Sequence, residues 1–237
     1  MKKNKTAVVT AGSRGIGRAV VLRFLQEGFD VITCSRNSTK LEALQGDAAR
    51  LKTPGNLNIV AADLSNLEGV NGFLNFVEES SAEVDVLVNN AGAFVPGRVS
   101  DEPAGVLEDM IDINLYSAYR VTRGILPGMV KRKSGHIFNM CSVASIQAYE
   151  NGGSYSIAKF ALLGFSRVLR EEMKEQGIRV TAVLPGATLS DSWEDVDLPE
   201  ERFMPAKDIA SCIYNAFSLS ARSVVEDIVL RPQLGDI

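Results

Sequence analysis

The chain is predicted to fold as an α/β protein: a doubly wound parallel sheet in three α/β/α layers, forming one domain over residues 1–237. Three observations predict it. Short β-branched runs alternate with amphipathic helical patterns from one end of the chain to the other, which implies right-handed crossovers between parallel strands. The strand candidates are nearly continuous in apolar residues, as in the Val-Leu-Val run Val86–Val88, so helices must cover both faces of the sheet. Finally, 46% hydrophobic and 23% charged residues over 237 positions supply a core large enough to need no staples. No linker, repeat or low-complexity block divides the chain.

Taken in order, Thr6–Thr10 reads as a strand, and Gly15–Glu27 as a helix with Ile16, Ala19, Val20 and Phe24 on one face. Val31–Cys34 is a second strand, followed by a helix around Lys40–Leu51. Asn58–Ala62 and Val84–Val88 are the next strands, separated by a helix around Glu68–Glu79. Val106–Lys131 is one long helical stretch, and His136–Met140 a strand. Tyr155–Glu175 then forms a helix that leads into the strand Arg179–Leu184. A last helix is expected near Asp208–Phe217 and a last strand at Asp227–Leu230.

Composition narrows the function. A net charge of −4 opposes nonspecific nucleic-acid binding, which needs a basic face. Cys34, Cys141 and Cys212 are far apart and His136 is the single histidine, so no Cys/His metal site is expected, and the thiols read as reduced and mostly buried. Lys2, Lys3 and Lys5 precede an apolar run of only Ala7–Val9, too short for a signal-peptide core, and no stretch approaches the ~20 apolar residues of a membrane span. A cytoplasmic protein without membrane or nucleic-acid partners is expected.

The first strand runs directly into Thr10-Ala-Gly-Ser-Arg-Gly-Ile-Gly17, which opens the first helix. A glycine-rich turn there lets backbone N–H groups approach a pyrophosphate at the positive helix end; a plain tight turn is the alternative. The spacing resembles the short-chain dehydrogenase/reductase pattern T-G-x-x-x-G-x-G, with Ala11 where that pattern has its first glycine. Lacking glycine's freedom, Ala11 is expected to keep a negative φ, leaving Gly15 and Gly17 to supply the close approach. An NAD site usually has a carboxylate at the end of the second strand, but that end reads Cys34-Ser35-Arg36-Asn37. Arg36, with Arg14 in the glycine turn, fits the 2′-phosphate of NADP(H), unless both are simply solvated. Two further strand ends, Ala62-Asp63-Leu64 and Asn89-Asn90-Ala91-Gly92, lie where ligands collect in such sheets. The resemblance gives Asp63 and Leu64 to the adenine ring and the Asn90-Ala91-Gly92 stretch to the cofactor backbone; Asp63 could equally cap the next helix. Thr10, Gly12, Ser13, Ile16 and Ser35 complete the implied cofactor contacts, with Pro185, Gly186 and Thr188 further on.

Tyr155 and Lys159 stand at i and i+4, on one helical face. With Ser142 thirteen residues upstream of Tyr155 and Asn114 on the preceding helix, they resemble the Asn-Ser-Tyr-Lys tetrad of the same family. Together with the glycine turn, Asn89–Gly92 and Pro185-Gly186, the resemblance spans residues 6 to about 190, in the family's order and with its Rossmann fold. It implies an NADP(H)-dependent oxidoreductase acting on a carbonyl or alcohol. Tyr155 would be the general acid, Ser142 would hold the substrate oxygen, Lys159 the nicotinamide ribose, and Asn114 a water linking Lys159 to solvent. A free phenol titrates near 10, so the Lys159 ammonium and the nicotinamide charge are expected to lower Tyr155 by about 3 units, worth roughly 4 kcal/mol. Cys141 has no histidine partner in sequence and reads as a small core residue.

Beyond Pro185-Gly186 the family's pattern is left behind. Ala187–Phe203 is acidic and carries the single tryptophan, Trp193, which is expected to close over the substrate as part of a lid around 187–204. The last strand lacks the family's terminal glycine pair and resembles more the sepiapterin reductase-like and small carbonyl reductase branch. A 3-oxoacyl thioester reductase, and a catalytically silent NADP(H)-sensing regulator, are the other readings. The acidic lid suits an acidic carrier protein poorly, and a sensor has no need of the full tetrad. The resemblance also implies a homodimer or homotetramer, paired through the two long helices.

Overall fold

The computed structural model describes residues 4–81, 83–189 and 198–237. Seven strands form one parallel sheet in the order β3-β2-β1-β4-β5-β6-β7: β1 (Thr6–Val9), β2 (Asp30–Ser35), β3 (Leu57–Ala61), β4 (Val86–Asn89), β5 (Gly135–Met140), β6 (Ile178–Pro185) and β7 (Asp227–Leu230). The helices are α1 (Gly15–Gln26), α2 (Ser38–Leu51), α3 (Leu67–Ser80), α4 (Val106–Ile111), α5 (Ser117–Arg132), α6 (Gly153–Met173) and α7 (Ala206–Ser218). Every strand expected from the sequence is present, as is every helix except the long one over Val106–Lys131, with ends shifted by a few residues.

Residue alternation along the strands explains why both faces are covered. Ala7 and Val9 of β1 turn toward α1 and α7, packing with Val20, Phe24, Ile209 and Ile213. Val8 between them turns to the opposite layer, with Val70 and Phe73 of α3 and Val121 and Ile125 of α5. Phe24 also meets Phe29 and Tyr214 edge-on, with ring centroids 5.0 and 5.7 Å apart. Local capping starts two helices: the side chains of Asn37 and Asn66 accept the backbone N–H groups of Lys40 and Gly69, each at 2.9 Å. Asp63 therefore does not cap α3. It closes a turn instead, accepting from the Ser65 N–H and hydroxyl.

The stretch read as one long helix is interrupted. Between α4 and α5, Asp112–Tyr116 forms a π turn, which widens the backbone by one residue around Asn114. Asn114 is fully buried, and its amide donates to Met110 O at 3.1 Å and to Ala93 O at 3.0 Å. That tie to the loop after β4 has no signature in a hydrophobic period, which reads through it as one helix, although an asparagine within a helix can mark a kink.

Successive strands build outward from β1 in one direction through β3, then resume at β4 on its other side. The crevice between the carboxyl ends of β1 and β4 is the topological switch point, where ligands collect in this architecture. Among the described residues, no helix is long and apolar enough to cross a membrane, and no group of three or more His, Cys, Asp or Glu is placed to hold a metal.

Candidate active site

The loop after β1 and the loop after β4 are laced together at the switch point. Thr10 is buried, and its hydroxyl oxygen accepts both the Asn90 and Ala91 N–H groups, at 2.9 and 2.8 Å. Asn90 returns the tie, its side-chain amide donating to Thr10 O and Ala11 O at 3.1 Å each. These bonds impose a conformation that the sequence reading had excluded. Ala11 has a φ of +52°, in the left-handed region, not the negative value expected of an alanine. The strain of about 1–2 kcal/mol is offset because Asn90 holds the Ala11 carbonyl, and Gly12 N donates to Thr33 Oγ1 and Cys34 O, both at 3.1 Å.

A cavity of about 540 Å3 opens beside this loop, a volume suited to a small-molecule site. Arg14, Gly15, Ile16 and Gly17 are part of its lining. Among the described residues no side chain caps α1 at Arg14, so the first N–H groups of the helix are free to meet a ligand. Gly17 could not be replaced without filling this cradle: a Cβ there would lie 2.4 Å from Asn90 Nδ2 and 2.5 Å from Ala11 O. The arrangement suits the pyrophosphate of a dinucleotide.

Not every predicted contact reaches the cavity. Asn90, Gly92, Pro185, Gly186 and Thr188 line it with the glycine loop. Thr10, Gly12, Ser13 and Ala91 lie beneath and shape the loop; Ser13 and Ser35 meet through their hydroxyls at 2.8 Å. Arg36 is exposed just past the end of β2, outside the cavity lining, as are Asp63 and Leu64. Leu64 is turned into the core against α3 rather than toward solvent, because its side chain completes the apolar layer with Val70 and Phe73.

Asn114, Ser142, Tyr155 and Lys159 line the same cavity. β5 delivers Ser142, which begins a short 3-10 turn at Val143–Ser145. Its hydroxyl accepts from Ala144 N at 3.1 Å, while Ser145 Oγ accepts from Ser142 N at 3.1 Å. Capping and site roles coincide in one side chain, for Ser142 lines the cavity with Tyr155, and its hydroxyl favours the Tyr155 phenolate. Helix α6 carries Tyr155 and, one turn on, Lys159, whose Nζ lies 5.6 Å from the Tyr155 ring centroid. Lys159 is buried and donates to Met140 O at 2.8 Å. Burial pushes its amine down to about 8, against the neighbouring Cys141 thiol. Gly92 leaves room between the catalytic candidates: a Cβ there would be 2.7 Å from Asn114 Oδ1 and 3.4 Å from Lys159 Nζ.

Within the chain alone, burial dominates the electrostatics of Tyr155. Burial raises its phenol above the ordinary value, and the Ser142 hydroxyl is the group that opposes the rise. The Lys159 ammonium donates to the Met140 carbonyl at 2.8 Å. Cys141 is buried, and burial pushes its thiol up to about 11, which fits a core residue rather than a nucleophile. Cys34 is buried as well and Cys212 partly so, and all three are free thiols.

Several cavity residues escaped the sequence reading. Phe94 meets Tyr155 edge-on, with centroids 4.9 Å apart. Tyr149, Gln147 and Asn151 come from the loop before α6, and Asp236 from the segment after β7, where it pairs with Arg231. Behind the site, Asn89 donates to Thr122 Oγ1 and Asn139 Oδ1 at 2.8 Å, and Asn139 donates to Ser166 Oγ at 2.9 Å. This buried chain joins β4, β5, α5 and α6. The doubled asparagine of Asn89-Asn90 was its one local sign. The base of the expected lid is tied: Leu189 N donates to Met204 O at 2.9 Å, and Met204 N to Ala187 O at 3.0 Å. Trp193 lies outside the described residues.

A seven-stranded parallel sheet, a glycine loop at its switch point and a clustered serine, tyrosine and lysine define the class: an α/β oxidoreductase of the dinucleotide-binding type. The chain belongs to the short chain dehydrogenase family, whose model matches residues 5–201. An uncharacterized oxidoreductase of Staphylococcus epidermidis is 29% identical over 230 residues, covering 97% of this chain and 98% of its own. A sepiapterin reductase of Chlorobaculum tepidum is 30% identical over 239 residues, covering 97% of each chain. A metagenomic short-chain oxidoreductase solved in complex with NADP is 28% identical, with a TM-score of 0.83 and 97% of each chain covered. The family resemblance read from the motifs is borne out.

Proposed function

We propose that the protein is an NADP(H)-dependent carbonyl reductase, in which Tyr155 exchanges a proton with the substrate oxygen. One observation carries the reading: Ser142, Tyr155 and the buried Lys159 line one cavity with the glycine loop and the start of α1, where no side chain caps the helix. The N–H groups at the start of α1 would hold the pyrophosphate, Arg14 and Arg36 the 2′-phosphate, and Asn90–Gly92 with Pro185, Gly186 and Thr188 the remainder. When bound, NADPH supplies the hydride that reaches the carbonyl carbon. Ser142 orients the carbonyl oxygen and stabilises the charge developing there. Tyr155 donates its proton to that oxygen, and a phenol raised by burial holds this proton firmly at neutral pH. Lys159 would hold the nicotinamide ribose hydroxyls, and Asn114 would keep the water through which Lys159 exchanges protons with solvent.

The lid around 187–204, with Trp193 over the substrate, belongs to the same reading, as does a cytosolic homodimer or homotetramer. The NADP-bound relative supports the cofactor, and the sepiapterin reductase among the relatives supports a small carbonyl substrate.

The decisive experiment is a Tyr155→Phe variant assayed with NADPH over a panel of ketones and thioesters. It is expected to fold and bind NADPH as the parent does, while turnover falls by about 10^2–10^4-fold. Turnover near the parent level would remove Tyr155 from the mechanism. In parallel, titration with NADPH and NADH should show a preference for NADPH that Arg36→Ala largely abolishes. Equal binding of the two would make the arginines bystanders.

A further inference from the structure

Helix α6 carries Tyr155 in its first turn, yet it begins without a local cap. Gly152 stands at the N-cap position and offers no side chain. The missing acceptor arrives from 52 residues upstream: Glu102 Oε1 accepts from Ser154 N at 2.9 Å, and Glu102 Oε2 accepts from the Ser154 hydroxyl. Ser154 directly precedes Tyr155. The chain makes room for this carboxylate with two glycines. At Gly153, φ is +34° and a Cβ would lie 2.0 Å from Glu102 Oε1; at Gly97 a Cβ would lie 2.7 Å from Glu102 Cγ.

Three further contacts join the same two segments. Gly97 N donates to Asn151 O at 3.0 Å, within a parallel bridge between Gly97 and Gly152. Arg98 Nε donates to Asn151 Oδ1 at 3.1 Å, and its guanidinium pairs with Glu150. One segment carries Phe94, whose ring meets that of Tyr155, and the other carries Tyr149; both residues line the cavity.

We propose that Glu102 is a positioning residue. Its carboxylate fixes the first turn of α6, and with the Gly97–Asn151 and Arg98–Glu150 ties it clasps two loops into one wall that sets the Tyr155 phenol against Ser142. A helix end with unmet N–H groups frays, and a proton donor displaced by about 1 Å can lose about 10^2-fold in rate. The proposal rests on Tyr155 being the proton donor, so its test needs a readout independent of turnover.

Glu102→Ala, Glu102→Gln and Ser154→Ala serve as variants in the full-length protein. Hydrogen exchange over residues 146–158 reads the clasp, NADPH titration reads the cofactor end, and kcat and KM read catalysis. In Glu102→Ala, exchange protection is expected to drop in that stretch, and kcat to fall about tenfold or more with NADPH affinity within about twofold of the parent. Glu102→Gln retains an acceptor for Ser154 N and should recover most of kcat. Ser154→Ala loses only the hydroxyl bond and should lie between; this pair carries the test should Glu102→Ala fail to fold. Unchanged exchange in the variants would overturn the clasp. Lost protection with parental kcat would overturn the positioning role, as would equal losses of kcat and NADPH affinity not rescued by glutamine. If the parent reduces no carbonyl, the catalytic reading fails, and exchange alone then decides whether the clasp exists.

Discussion

His136 shows how much one buried side chain can set. It lies fully buried in β5, stacked on Phe138 at 4.0 Å between centroids. Its Nε2 is 2.8 Å from Thr181 Oγ1, whose own proton goes to Val225 O at 2.6 Å. The ring must therefore donate through Nε2, which leaves Nδ1 as a buried acceptor without a partner among the described residues. Burial, and secondarily the Arg179 charge, push its pKa from 6.5 down to about 2. Below pH 6.5 the unfolded chain takes up a proton that the folded chain refuses. Stability is thus fully present above that pH and declines by about 1.4 kcal/mol for each unit below it. Urea unfolding at pH 7 and pH 5 should show this decline in the parent. It should be much smaller in His136→Phe, which keeps the stack and does not titrate. A single ionisable residue in a composition table carries no such information; only its depth and its hydroxyl partner do.

At the scale of elements, the junction of β1 with β4 matters most, because the cofactor loop and the Asn90–Gly92 loop share it. The Thr10 hydroxyl accepts two backbone N–H groups there. Thr10→Val preserves shape and leaves both donors unmet, at a cost of about 1–3 kcal/mol for each group that stays buried. Chemical denaturation should register a loss of about 2 kcal/mol or more, with weakened NADPH binding in the same variant. An unchanged midpoint would mean that water replaces the hydroxyl. The same junction explains where local reading succeeded and failed. The Thr10–Gly17 turn was legible because a strand, a glycine run and a helix follow one another directly. The positive φ of Ala11 was not, since it is imposed by Asn90, 79 residues away. Likewise Asp63 looked like a helix cap by composition, while Asn66 takes that role through its bond to Gly69.

For the whole molecule, the two helices behind the active site present an apolar exterior. On α6, Ile157, Phe160 and Val168 are 44%, 45% and 58% exposed, at spacings that place them on one face. Beside them lie Tyr116 and Tyr119, whose rings are covered by Arg120 and Arg123 at 4.8 and 5.8 Å. Such a patch is costly in a monomer and suits the proposed pairing through the long helices. Light scattering at micromolar concentration should give a dimer or tetramer mass. Phe160→Glu with Ile157→Glu should shift it to the monomer, by burying unpaired carboxylates at the joint. A parental monomer would remove the inference.

The order of apolar runs in the chain was enough to determine the parallel sheet, its covering helices and the strand ends where a site could form, because hydrophobic period and burial are local properties. It also determined the Tyr155–Lys159 pair, since four residues on a helix always share a face. Tertiary structure alone decided which candidates meet: Ser142 and Tyr155 line one cavity, Lys159 turns to Met140, and Leu64 sinks into the core. It alone brought Glu102 to Ser154, and interrupted the long helix at Asn114. These contacts join residues tens of positions apart, and what selects them is the shape of the packed core and the need to satisfy each buried donor, neither of which leaves a period or a spacing in the chain.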